Sequence, residues 1–147
     1  MPEHLFTIVA RGHSVDVQTN NLTIYSVLEE IGAAELPFAI PQFGIVTLWR
    51  RQEGEEGVSF MQRTRLLDPD GAEVFNFETE FALHKRRHRS LGTVNMVPIE
   101  KAGQYLFEVQ IRQVDEAETD YRTAGHFPLE VQVLQKQEDS LLAESGK

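Results

Sequence analysis

Two alternating runs joined by one tight turn constrain this chain more than any other stretch. Residues 58–81 read VSFMQRTRLLDPDGAEVFNFETEF. On the way in, Val58, Phe60, Gln62, Thr64 and Leu66 fall on one face, with Ser59, Met61, Arg63 and Arg65 on the other. On the way out, Phe75, Phe77, Thr79 and Phe81 alternate with Val74, Asn76, Glu78 and Glu80. A period of two on both arms predicts a β-hairpin with one wetter side. Between the arms, Pro69 suits position i+1 of a turn and Gly71 a position of positive φ. A lone hairpin is marginal in water, so further strands must cover its apolar face.

Those strands are legible along the chain. Residues 5–10 (LFTIVA) and, more briefly, 14–18 read as strands, the second ended by a turn at Asn20-Asn21. Residues 22–31 (LTIYSVLEEI) carry two signals. Leu22, Tyr25, Leu28 and Ile31 recur every third residue, as on a helix, yet Thr23, Ile24, Tyr25 and Val27 are strand formers. The β reading is preferred. Residues 32–37 read as a loop, and Pro37 and Pro41 bracket an extended segment. Residues 43–50 (FGIVTLWR) are apolar on both faces, as in a central strand, with Trp49 as a core anchor. Residues 93–99 resume the pattern after a basic interruption, and Pro98 marks an edge or a strand end. The cleanest strand is 104–114, with Tyr105, Phe107, Val109 and Ile111 inward and Glu108, Gln110 and Arg112 toward water. After a polar loop over 115–125, Phe127, Leu129, Val131 and Val133 point inward from the last strand.

Eight or nine strands with frequent turns and no clear helix predict an all-β fold, a two-sheet antiparallel β-sandwich of immunoglobulin or C2 type. At 147 residues the chain suits one domain over 1–134, followed by a polar tail over 135–147 that is disordered or a short helix. A domain of this size hides roughly 68–70% of the surface of its unfolded chain, enough for a core without disulfides or metals.

Cysteine is absent, which removes disulfides, zinc-thiolate sites and thiol nucleophiles and fits a cytoplasmic setting. No apolar run reaches the ~20 residues needed to span a bilayer, and the start of the chain lacks the pattern of a signal peptide. The net charge of −9 argues against non-specific binding to nucleic acid or anionic membranes.

Against that background, His84-Lys85-Arg86-Arg87-His88-Arg89 stands out. It places four of the chain's 14 basic residues, Lys85, Arg86, Arg87 and Arg89, within five positions. The plainest reading is a solvated edge strand or loop whose charges deter edge-to-edge pairing. The functional reading is a surface for an acidic protein partner. Nucleic acid is disfavoured because no aromatic residue is interleaved as a stacking platform. The acidic run Asp115, Glu116, Glu118 and Asp120 lacks the spacing of a Ca²⁺ loop and reads as solvated. His84 and His88 are four apart, but Lys85 stands where a zinc protease carries its glutamate. No hydrolase elbow or glycine-rich phosphate loop is present, so no cofactor, metal or catalytic residue is assigned.

Taken in order, several stretches resemble a bacterial family of uncharacterised small β-rich proteins. They are residues 19–27 (TNNLTIYSV), Pro37 and Pro41, 46–49, 67–71 (LDPDG), 87–89 and 103–107 (GQYLF). The resemblance implies that residues 22–31 are a strand and carries no catalytic residues.

The expected object is a non-enzymatic binding or interaction module whose partner surface is the basic run, with a homo-oligomer through an open sheet edge as a further possibility. The alternative is a ligand- or metal-binding sandwich, with or without enzymatic activity. Its site would be built from loops bearing His13, His126 and the carboxylates of 115–120.

Overall fold

A computed structural model describes residues 1–134; the expected polar tail lies outside the described residues. The protein is all-β, with no α-helix among the described residues and one 3₁₀ turn at Glu118–Asp120. Its strands are β1 (Glu3–Val15), β2 (Leu22–Val27), β3 (Glu30–Ala33), β4 (Phe38–Ile40), β5 (Phe43–Arg50) and β6 (Ser59–Leu67). They continue with β7 (Glu73–Ala82), β8 (Arg87–Val94), β9 (Val97–Ile99), β10 (Gly103–Gln113) and β11 (Arg122–Val133). Among the described residues, eleven strands in three sheets therefore stand where eight or nine in two were expected.

One sheet has the order β2-β1-β5-β8, a second β3-β11-β10-β6-β7, and β4 pairs with β9 alone. All pairings are antiparallel except β11 with β3. The extra strands arise where the backbone leaves the extended region. Residues 22–31 form two strands, not one, because Ser26 takes φ 57° and ends β2 at Val27. Leu28 then turns inward, its N–H donating to Val9 O at 2.8 Å, and β3 joins the other sheet beside β11. The three-residue spacing of Leu28 and Ile31 thus records burial on a crossing between sheets, with both side chains in the core. Gly32 and Ala33, expected in a loop, belong to β3. Likewise Met96, at φ 54°, divides 93–99 between β8 and β9. Residues 14–18 are no separate strand: β1 runs unbroken to Val15 and then turns.

The hairpin from which the fold was read is β6–β7. Leu66 faces Phe75, Thr64 faces Phe77, Gln62 faces Thr79 and Phe60 faces Phe81. Gly71, at φ 85°, closes the turn with its N–H on Asp68 O at 2.9 Å. The inner faces of the two larger sheets meet in a shared core. Val9, Phe43 and Ile45 come from one side and Leu66, Phe107 and Leu129 from the other, and the β4–β9 pair adds Ile40, Val97 and Ile99. A second cluster of Trp49, Phe60, Phe81, Leu83, Val109 and Ile111 lies where β7 leads toward β8.

Two face assignments are corrected. Gln110 and Arg112 of β10 are buried rather than turned to water, because other side chains cover them. Arg63 Nε donates to Gln110 Oε1 at 2.7 Å, and both Arg63 and Arg112 lie over the Tyr121 ring. Val133 is exposed, since β11 has by then run beyond β10 and, among the described residues, pairs only with β3. The polar loop is also shorter than 115–125, because β11 begins at Arg122.

Candidate functional site

Residues 83–86 carry the chain from β7, the outermost strand of the five-stranded sheet, to β8, the outermost strand of the four-stranded one. Leu83 anchors this crossing. It is fully buried, donates its N–H to Val58 O at 3.1 Å and accepts from Gly57 N at 2.9 Å. Arg51 ties down the next residues, donating Nη1 to His84 O at 3.1 Å and its backbone N–H to Arg86 O at 2.7 Å. The backbone of the basic run is therefore held while the side chains of His84, Lys85, Arg86 and Arg87 are left exposed. β8 then pairs with β5, Arg87 opposite Arg50, His88 opposite Trp49 and Arg89 opposite Leu48.

Lys85, Arg87 and Arg89 line one cleft of about 670 Å³, a volume in the range of ligand sites. Arg86 is not with them. It lies in a neighbouring groove of about 270 Å³ beside Arg50 and Arg51, where Glu53 and Glu56 supply opposite charge. The larger cleft has an apolar side made by Val15, Leu48, Ala82 and Leu91. None of the residues lining it is acidic. Among the described residues, none of Lys85, Arg86, Arg87 and Arg89 is paired with a carboxylate, whereas Arg65, Lys101 and Arg122 are. Arg89 Nη2 donates to the backbone oxygen of Asn20 at 3.1 Å. That contact joins the β1–β2 turn to β8, so the two edges of the four-stranded sheet approach each other and the sheet is curled.

His88 also borders the cleft, but its imidazole adds no positive charge there. It stacks on Phe81, and burial lowers its pKa below 6.5, so the ring is neutral near pH 7. The positive field of the cleft therefore belongs to Lys85, Arg87 and Arg89. Sequence reasoning found these three and missed Val15, Asn20, Leu48 and Leu91, whose approach depends on sheet curl and strand register. The one local signal was the Asn20-Asn21 turn, where Asn20 takes φ 59°.

The structure does not bring the alternative loop residues together. His13 lies against Gly44 of β5, where a Cβ would stand 2.9 Å from its Nδ1, a buried atom without a hydrogen-bond partner among the described residues. His126 lies in β11 and contributes, after burial, to the lowered pKa of His4. In the β10–β11 loop, Glu116 pairs with Arg122 at 2.9 Å and accepts from Gln113 N at 2.8 Å, and Asp120 accepts from Ala117 N at 3.1 Å. These carboxylates close their own turn. Among the described residues, no three His, Asp or Glu side chains are grouped to hold a metal ion. No helix of the described residues is long and apolar enough to cross a membrane.

Compared with known families, residues 11–124 match a family of unknown function, DUF6941. The chain belongs to DUF6941. The DUF6941 match contains every residue that lines the basic cleft and begins within β1. No curated protein matches the chain.

Proposed function

We propose that this chain is a non-enzymatic binding module that takes an acidic segment of a protein partner into the cleft at Lys85, Arg87 and Arg89. Its frame, on this reading, is sandwich-like, the two larger sheets serving as the immunoglobulin- or C2-type scaffold expected of the sequence. One observation carries the proposal: three cations line a single cleft that has no carboxylate in its wall. A surface of this kind favours an anion and lets charge set the choice of partner. The apolar strip formed by Val15, Leu48 and Leu91 suits a peptide, which brings apolar side chains along with its carboxylates. Arg86, in its separate groove, is left out of the site.

The test is fluorescence anisotropy with a labelled peptide in which Glu alternates with Thr. Exposed ion pairs contribute about 0.2–1 kcal/mol each, so the combined variant Lys85→Glu, Arg87→Glu and Arg89→Glu is expected to bind about three- to 160-fold more weakly. The same substitutions break no ion pair among the described residues and cost only the Arg89 bond to Asn20 O. The unfolding free energy in urea is therefore expected to fall by no more than about 1.5–3 kcal/mol, that of one charged hydrogen bond, with the fold kept. Equal binding by the variant contradicts the proposal. So does a single-stranded oligonucleotide that outcompetes the peptide, because that outcome assigns the cleft to nucleic acid.

A further inference from the structure

Resting on that reading, we infer that the acidic segment binds as an added β-strand along the open edge of β8, with its carboxylates at alternate positions. The basic cleft touches Arg87, His88 and Arg89, three consecutive residues of one strand. Successive side chains of a strand point to opposite faces. The cleft also reaches from Leu48 of β5, which is opposite Arg89, to Ala82 of the other sheet, so it passes over the outer face of β8 and around its edge. Among the described residues that edge is open: β8 is outermost in its sheet, with β5 as its only strand neighbour. An outermost strand presents a row of unpaired N–H and C=O groups. Ala82, the last residue of β7, closes the other wall, and β7 is outermost in its own sheet.

Side-chain spacing then sets what the added strand must look like. Arg87, Arg89 and Leu91 share one face of β8, about 6.6 Å from one to the next. Cross-strand partners of opposite charge stabilise a pair, and like charges destabilise it. The strand that fits carries acidic residues opposite Arg87 and Arg89 and an apolar residue opposite Leu91, which is 42% exposed. A second copy of β8 at the same edge would set these cations against one another, so the charges that admit an acidic strand exclude self-pairing. Main-chain hydrogen bonds supply affinity in this mode, and alternate side chains supply specificity.

The experiment uses the full chain and two modified forms of the Glu–Thr peptide, one N-methylated at every Glu and the other at every Thr. The N–H groups of alternate residues point to one edge of a strand, so each peptide has one edge blocked. Strand addition is expected to weaken one of the two at least tenfold while the other stays near the unmodified peptide. Two modified peptides that bind alike, whether both strong or both weak, overturn strand addition, even where the unmodified peptide binds and the charge-reversed variant does not. Failure of the unmodified peptide to bind overturns the acidic-segment reading as well.

Discussion

His88 lies flat against Phe81, with ring centroids 4.2 Å apart and planes 3° from parallel. Phe81 belongs to β7 and His88 to β8, so this stack fastens the outermost strand of one sheet to the outermost strand of the other. It continues inward, because Phe81 also stacks on Trp49 and tilts against Phe60. The strand that borders the basic cleft is thus fastened, through His88, into an aromatic cluster.

Removing that lock has a measurable cost. Aromatic pairs contribute about 0.5–1.5 kcal/mol beyond the area they bury. His88→Ala is expected to lower the unfolding free energy by about 1–2 kcal/mol in urea denaturation. A value indistinguishable from wild type contradicts the fastening role.

The same ring makes stability depend on pH. Burial lowers the pKa of His88, and burial together with the nearby His126 lowers that of His4. As pH falls through 6.5 the unfolded chain takes up these protons before the folded protein does. Stability is therefore lost from that point downward, until the lowered folded-state values are passed. The melting temperature is expected to fall between about pH 7.5 and about pH 5.5, a window above the ordinary range of carboxylates. His88→Phe keeps the stack, removes one titrating group and flattens the slope. An unchanged slope in that variant rejects the assignment to His88.

Trp49 gives a third expectation. Its Nε1 donates to Gln62 Oε1 at 2.9 Å, and Gln62 Nε2 donates in turn to Thr64 Oγ1 at 3.1 Å, all within the buried interior. Gln62→Leu leaves the indole N–H without a partner, at a cost of about 1–3 kcal/mol. Urea denaturation followed by the fluorescence of the single tryptophan measures it directly. No loss of stability would mean that the indole finds another acceptor.

Much of this fold was legible because alternation and turn chemistry are local. The β6–β7 hairpin, β5 at 43–50 and the inward row Tyr105, Phe107, Val109 and Ile111 all follow from a period of two. The division of 22–31 was not legible, because positive φ at Ser26, a non-glycine residue, has no strong sequence signal. Gln110 and Arg112 read as outward because alternation cannot show that Arg63 and Tyr121 lie over them. At the candidate site the basic residues were plain as composition. Their separation into Lys85, Arg87 and Arg89 on one side and Arg86 on the other depends on the edge geometry of β8. The arrival of Asn20 beside Arg89 depends on sheet curl, a long-range property.

The central claim, an acidic segment held at the open edge of β8, is tested most directly by mapping amide chemical-shift changes as the unlabelled Glu–Thr peptide is titrated into the isotopically labelled full chain. The expected result is a contiguous set of shifts along residues 85–91, reaching Val15 and Asn20 across the cleft. Shifts centred elsewhere, or none at saturating peptide, would contradict it.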